Sequence, residues 1–176
     1  MKLNELYELK CNEWSDIQHH LPKLKELSSQ CNHVTEFGVR SGVSTIGLLS
    51  GQPKKLISYD IHPCPSFLWD VEEQTDFRFI QQDVLNTSIE PTDFLFIDTL
   101  HTYQQLSQEL NLHSSKVRKW IGFHDTETFG LQGENYEGKI VEGLRKAIYE
   151  FLESNPQWRQ VYHSKESNGF TLIEKL

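Results

Sequence analysis

A chain of 176 residues, 37% apolar and 24% charged, is long enough for one core without staples and too ordinary in composition to be disordered. Its net charge of −8 speaks against a nucleic-acid backbone as substrate, because phosphate contacts need a basic face. Three scattered cysteines (Cys11, Cys31, Cys64) read as free thiols of a reducing cytosol; with no signal-peptide core at the start and no apolar run near ~18 residues, the expectation is a cytoplasmic protein that spans no membrane.

One domain is expected over 1–176, with a helical flank or lid over 1–32 and a sheet core over 33–176. In the first segment Trp14, Ile17, Leu21, Leu24 and Leu27 recur at helical spacing, and Pro22 inside that stripe predicts a break near His20. Residues 1–32 are also a candidate homodimer surface. From His33 the pattern changes to short apolar runs that alternate with helical stretches. Val34–Gly38 reads as a strand, and the helix from Val43 stops at Gly51 with Pro53 beyond. Lys55–Asp60 is a second strand, Phe67–Gln74 a short helix, and Phe77–Gln81 a third strand. Asp93–Asp98 is the most apolar run, as a central parallel strand buried on both faces requires. Thr102–Val117 is predicted helical and Trp120–Asp125 a fifth strand, followed by a glycine-rich polar stretch, Thr126–Gly138. A last helix runs from Ile140 to Leu152 and ends at Asn155-Pro156. Trp158–His163 and Phe170–Glu174 form a closing hairpin. The alternation predicts an α/β, Rossmann-like, doubly wound sheet of seven strands, mostly parallel, with a C-terminal antiparallel hairpin and N-terminal flanking helices.

In such folds ligands bind outside the carboxyl ends of the strands. Each of the first five strands carries an acid to that end: Glu36, Asp60, Asp83, Asp98 and Asp125, with His101 and His124 beside the last two. Any one of these acids is equally well explained as the cap of the following helix. All five together are not. Asp60 is placed to accept the hydroxyls of a ribose, Asp83 the exocyclic amine of an adenine, and Glu36 to hold the glycine loop or meet a cationic group. The loop itself, Gly38 to Gly42 with Ser41 between, has neither the GxGxxG of dinucleotide folds nor the lysine of a phosphate loop.

Taken in order, Glu36-Phe37-Gly38, Gly42-Val43-Ser44-Thr45, Tyr59-Asp60, Gln82-Asp83-Val84, Phe94 to Asp98 with His101 and Tyr103, and Phe123-His124-Asp125-Thr126 resemble class I S-adenosylmethionine-dependent methyltransferases. The likeness covers residues 33 to about 126 and is strongest to the small-molecule branch with macrolide-sugar O-methyltransferases and cephalosporin-hydroxylase-like proteins. It implies S-adenosylmethionine as cofactor, on Glu36, Gly38, Ser41, Gly42, Asp60, Asp83 and Asp98. A sulfonium and an ammonium also suit a rim of acids better than ATP or NAD does. The resemblance further implies O-methylation of a small polar substrate, with His101 as general base. A divalent ion, Mg²⁺ or Mn²⁺ or another transition metal, would sit on Asp98, His124 and Asp125. The family usually has an oxygen ligand where this chain has His124, and imidazole is a poor ligand for Mg²⁺. Either the ion is a transition metal, or His124 points elsewhere, or there is no ion. Successive strand residues also face opposite ways, so His124 and Asp125 converge only if the strand has ended.

Two other readings stand beside this one: a non-catalytic domain that binds a nucleoside, and a nicotinamide-dependent oxidoreductase. Phe129 and Tyr136 are candidate substrate contacts. His19, His20 and His113 read as solvated helix positions.

Overall fold

The computed structural model describes residues 2–71, 75–135 and 138–176, so Tyr136 lies outside the described residues. Seven strands form one sheet: β1 His33–Phe37, β2 Lys55–Asp60, β3 Asp76–Gln81, β4 Thr92–Ile97, β5 Val117–His124, β6 Trp158–Ser164 and β7 Phe170–Lys175. Their order is β3-β2-β1-β4-β5-β7-β6. β1 to β5 pair in parallel, while β7 runs antiparallel to both β5 and β6. The order reverses between β1 and β4, and the crevice at their carboxyl ends is the place where this topology binds ligands.

The pleat sorts the central residues to two helical layers. Phe94 and Phe96 of β4 face a cluster formed with α1 (Leu3–Asn12), α2 (Leu21–Ser28) and α3 (Val43–Leu49). Leu95 and Ile97 face the opposite cluster, under α4 (Tyr103–His113) and α5 (Leu144–Ser154). Burial on both faces is what makes this run continuously apolar.

Several boundaries differ from the sequence expectation. The stripe of residues 14–27 is broken, as Pro22 requires, and Pro22 lies in the first turn of α2. Trp14 is left 88% exposed, while Leu21, Leu24 and Leu27 bury against the chain's own core. The helix from residue 103 ends at His113 and gives way to a 3-10 turn, so β5 starts at Val117 and not at Trp120. The last helix starts at Leu144 instead of Ile140, because Val141 and Gly143 are tied back into the loop: Gly133 N donates to the Val141 carbonyl and Gly143 N to the Leu131 carbonyl. In place of a helix over 67–74 there is a 3-10 turn over Ser66–Asp70, and residues 72–74 lie outside the description. His20 and His113 are buried, not solvated, each with a ring nitrogen on a backbone carbonyl. No helix among the described residues is long and apolar enough to cross a membrane.

Candidate functional site

The loop after β1 is shaped by its glycines. Gly38 has φ +83°, and a Cβ there would stand 1.9 Å from the Asp98 carbonyl oxygen, so the ends of β1 and β4 meet this closely only with glycine. Gly42, at φ +76°, turns the chain into α3. Beneath the loop Glu36 is fully buried and accepts three hydroxyls: Ser44 at 2.6 Å, Thr45 at 2.9 Å and Ser58 at 2.5 Å. Burial pushes its carboxyl up to about 7, although those hydroxyls act the other way. Glu36, expected to hold the loop or meet a cationic group, thus ties the start of α3 to β2.

Asp60 ends β2 and also turns to the loop. Its Oδ2 accepts Val39 N at 2.7 Å and Arg40 N at 2.9 Å, and its Oδ1 accepts His62 N at 2.8 Å. A carboxylate has about four acceptor positions, so one remains for a ligand hydroxyl. Asp83 caps the 3-10 turn after β3, accepting Leu85 N at 2.9 Å and Asn86 Nδ2 at 2.9 Å. The capping explanation therefore describes Asp83 in this structure. Ser41 lies exposed at the crest of the loop.

The β4 and β5 ends differ in kind. Asp98 follows the last residue of β4, and His101 follows three residues later. β5 ends at His124, and Asp125 takes a left-handed conformation (φ +59°) that swings its carboxylate back beside its neighbour. The strand has ended, so the two side chains converge. Four atoms meet there. His101 Nε2 lies 3.2 Å from Asp98 Oδ1 and 2.9 Å from Asp125 Oδ2. His124 Nδ1 lies 3.3 Å and 3.0 Å from the same two oxygens. Neither His124 contact has the directions of a hydrogen bond, and both His124 Nδ1 and Asp125 Oδ1 are buried without a hydrogen-bond partner.

Charge follows from this crowding. Burial works to lower both histidines, but the Asp125 and Asp98 carboxylates outweigh it and push each up to about 10. Burial likewise works to raise Asp98 and Asp125, and the two imidazoles hold both below the usual carboxylate range. With its Nδ1 on Glu134 Oε2 at 2.9 Å, His101 has no nitrogen open to an incoming hydroxyl. Phe129, expected as a substrate contact, stacks flat on the His101 ring, with centroids 4.7 Å apart. The cavity among Asp98, Thr99, His101 and His124 holds about 10 Å³.

Three contributors carried no sequence signal. Glu134 reaches His101 from the glycine-rich stretch, while the Asp16 and Ser167 carbonyls lie 3.1 Å and 2.9 Å from His124 Nε2. Backbone carbonyls are the same at every residue, and nothing in the pattern marks Glu134 among 25 acids. Only the Gly133 before it hints at a close approach.

No protein-family profile matches the chain, and no curated protein does. Solved structures do. The N-methyltransferase NodS from Bradyrhizobium japonicum, in complex with S-adenosyl-L-homocysteine, superposes with a TM-score of 0.66 at 13% identity, over 98% of this chain and 98% of that one. The chain has the Rossmann-like fold of such methyltransferases. An O-methyltransferase from Bacillus cereus, also in complex with S-adenosylhomocysteine, gives 0.62 at 19% identity over 99% and 90%. The methyltransferase PaMTH1 from Podospora anserina, bound to the same product, gives 0.60 at 15% over 99% and 87%. At these identities the likeness is one of fold.

Proposed function

We propose that the protein is an S-adenosylmethionine-dependent methyltransferase that methylates a hydroxyl of a small polar molecule. The observation that carries this reading is the convergence of Asp98, His101, His124 and Asp125 beside the Gly38–Gly42 loop, at the topological switch of a fold shared with methyltransferases in complex with S-adenosylhomocysteine. The loop and the free acceptor position of Asp60 suit the cofactor's amino-acid and ribose portions. Asp98, at the meeting of β1 and β4, lies next to both.

The residues also fit a divalent ion. Buried Asp125, half-buried Asp98 and an imidazole nitrogen without a hydrogen-bond partner face one another, a donor set that suits a cation. Asp98, His124 and Asp125 would hold it, and its chemistry when bound is to acidify an acceptor hydroxyl. The chain's own share is positional. The left-handed turn at Asp125 and the close approach at Gly38 fix the carboxylates, and the Phe129 ring keeps water from one face of His101. A base role for His101 needs Nε2 to leave the two carboxylates.

A non-catalytic nucleoside-binding domain is the second reading, favoured by the small cavity at the cluster and by the capping duty of Asp83. One assay separates the two. Purified protein is incubated with S-adenosylmethionine, a divalent-metal mixture and a panel of sugars, polyols and phenols, and release of S-adenosylhomocysteine is followed. Acceptor-dependent release that Asp98→Asn abolishes supports the enzyme. S-adenosylmethionine binding with no release across the panel favours the second reading.

A further inference from the structure

The rim of the crevice is acidic, and one group of the proposed cofactor does not suit acids. Besides its sulfonium and ammonium, S-adenosylmethionine carries a carboxylate, which needs a cation. In the segments that follow β1 to β5 at their carboxyl ends, residues 38–42, 61–65, 82–86, 98–102 and 125–135, Arg40 is the only lysine or arginine. The imidazoles of His101 and His124 are engaged with Asp98 and Asp125.

Arg40 belongs to the Gly38–Gly42 loop. Its backbone is left-handed, with φ +46°, and its N donates to Asp60 Oδ2 at 2.9 Å. Its guanidinium pairs with the carboxylate of Asp16. That hydrogen bond raises the guanidinium above its ordinary value against the effect of burial, and the charges of Asp16, Asp98 and Asp125 act the same way. The one cation of the rim therefore lies in the field of the β4–β5 cluster.

Asp16 comes from a strap, residues 13–17, between α1 and the 3-10 turn Gln18–His20. While its side chain holds Arg40, its carbonyl accepts from His124 Nε2 at 3.1 Å. A single residue thus bridges the loop after β1 and the end of β5, and the switch crevice between β1 and β4 lies between those two points. The pair is built to be exchanged. With the Arg40 side chain 65% exposed, it contributes little to stability. A carboxylate on a ligand anchored elsewhere in the crevice meets the same guanidinium at high effective concentration.

We propose that Arg40 binds the carboxylate of the cofactor's amino-acid end, and that Asp16 is its internal competitor, occupying the guanidinium until the cofactor arrives. Cofactor entry then breaks the side-chain half of the bridge that Asp16 makes across the crevice. Arg40 is absent from the residues that the resemblance implies for the cofactor. The inference rests on the proposed function for the identity of that cofactor.

Purified protein is titrated in a calorimeter with S-adenosylhomocysteine and with 5′-methylthioadenosine, which shares the nucleoside and the sulfur but lacks the amino-acid end. Three variants are compared, each checked for its fold by circular dichroism. Arg40→Asn removes the cation at a backbone conformation that asparagine tolerates, Arg40→Lys keeps the charge, and Asp16→Ala frees the guanidinium. Arg40→Asn should weaken S-adenosylhomocysteine about tenfold or more and leave methylthioadenosine unchanged, with most of the loss recovered in Arg40→Lys. Asp16→Ala should tighten S-adenosylhomocysteine about 2–5-fold, again with methylthioadenosine unchanged. Equal weakening of both ligands by Arg40→Asn, or no weakening of either, would overturn the carboxylate role. S-adenosylhomocysteine affinity that is unchanged or lower in Asp16→Ala would overturn the competitor. If the wild type binds S-adenosylhomocysteine and neither Arg40→Asn nor Asp16→Ala alters that affinity, the inference falls and the proposed cofactor stands. Binding of neither ligand to the wild type contradicts the proposed function itself.

Discussion

The two halves of the crevice rim carry the same residue type to equivalent places and use it differently. On the β1–β3 side, Glu36, Asp60 and Asp83 are spent on the protein: hydroxyls, loop N–H groups and a cap take their oxygens. On the β4–β5 side, Asp98 and Asp125 meet two imidazoles in a cluster that leaves buried polar atoms without partners. A carboxylate satisfied by N–H and O–H donors is stable as it stands. One crowded against a second carboxylate and two imidazoles, beside buried atoms without a hydrogen-bond partner, has its charge set by the whole cluster. Position at a strand end makes an acid a candidate, and only its partners decide between scaffold and chemistry.

That contrast can be broken most sharply at Asp125. Asparagine tolerates the left-handed backbone there, so Asp125→Asn should fold, bind S-adenosylhomocysteine normally and lose turnover on the order of 10²-fold or more. Steady-state kinetics with product detection checks this. The scaffold half should fail by unfolding instead. Gly38→Ala forces a Cβ against the Asp98 carbonyl in a conformation that disfavours L residues, at a cost of roughly 3 kcal/mol or more. For a chain of this size each kcal/mol lowers Tm by about 2–4 °C, which calorimetry would register.

Glu36 sharpens the comparison through pH. Its folded value, about 7, lies above the ordinary 4.5, so its favourable contribution is complete below 4.5 and is lost as pH rises toward 7. The full swing is roughly 3 kcal/mol. Denaturant unfolding of wild type and Glu36→Gln should therefore diverge between those pH values, with the wild type losing more stability as pH increases. Parallel curves would mean that Glu36 is ionised and satisfied in the folded protein. The smallest effect belongs to Asp83→Ala, which removes a cap and should cost about 1 kcal/mol in the same unfolding experiment.

Much of the architecture can be read from the chain. The unbroken apolar run of β4 marks a strand buried on both faces, and Pro22 marks the break before α2. The site was half legible. The spacing from Asp98 to His101 and the pair His124-Asp125 single out the four clustered residues. They do not say that both imidazoles turn toward the same two oxygens. That orientation comes from the Asp16 and Ser167 carbonyls and from Glu134, brought in from segments 108, 43 and 33 residues distant along the chain. Such tertiary partners leave no local periodicity. The buried histidines teach the same lesson, since His20 and His113 occupy helix positions that look solvated until a carbonyl from another element meets each ring.

The central claim, that this crevice holds S-adenosylmethionine with Asp60 at its nucleoside side, is tested most directly by calorimetric titration of wild type and Asp60→Ala with S-adenosylhomocysteine. The account predicts one site per chain in the wild type and at least tenfold weaker binding in the variant, roughly the 1.4 kcal/mol of one charge-assisted hydrogen bond. Equal affinity in the two proteins, or no binding to the wild type, would contradict it.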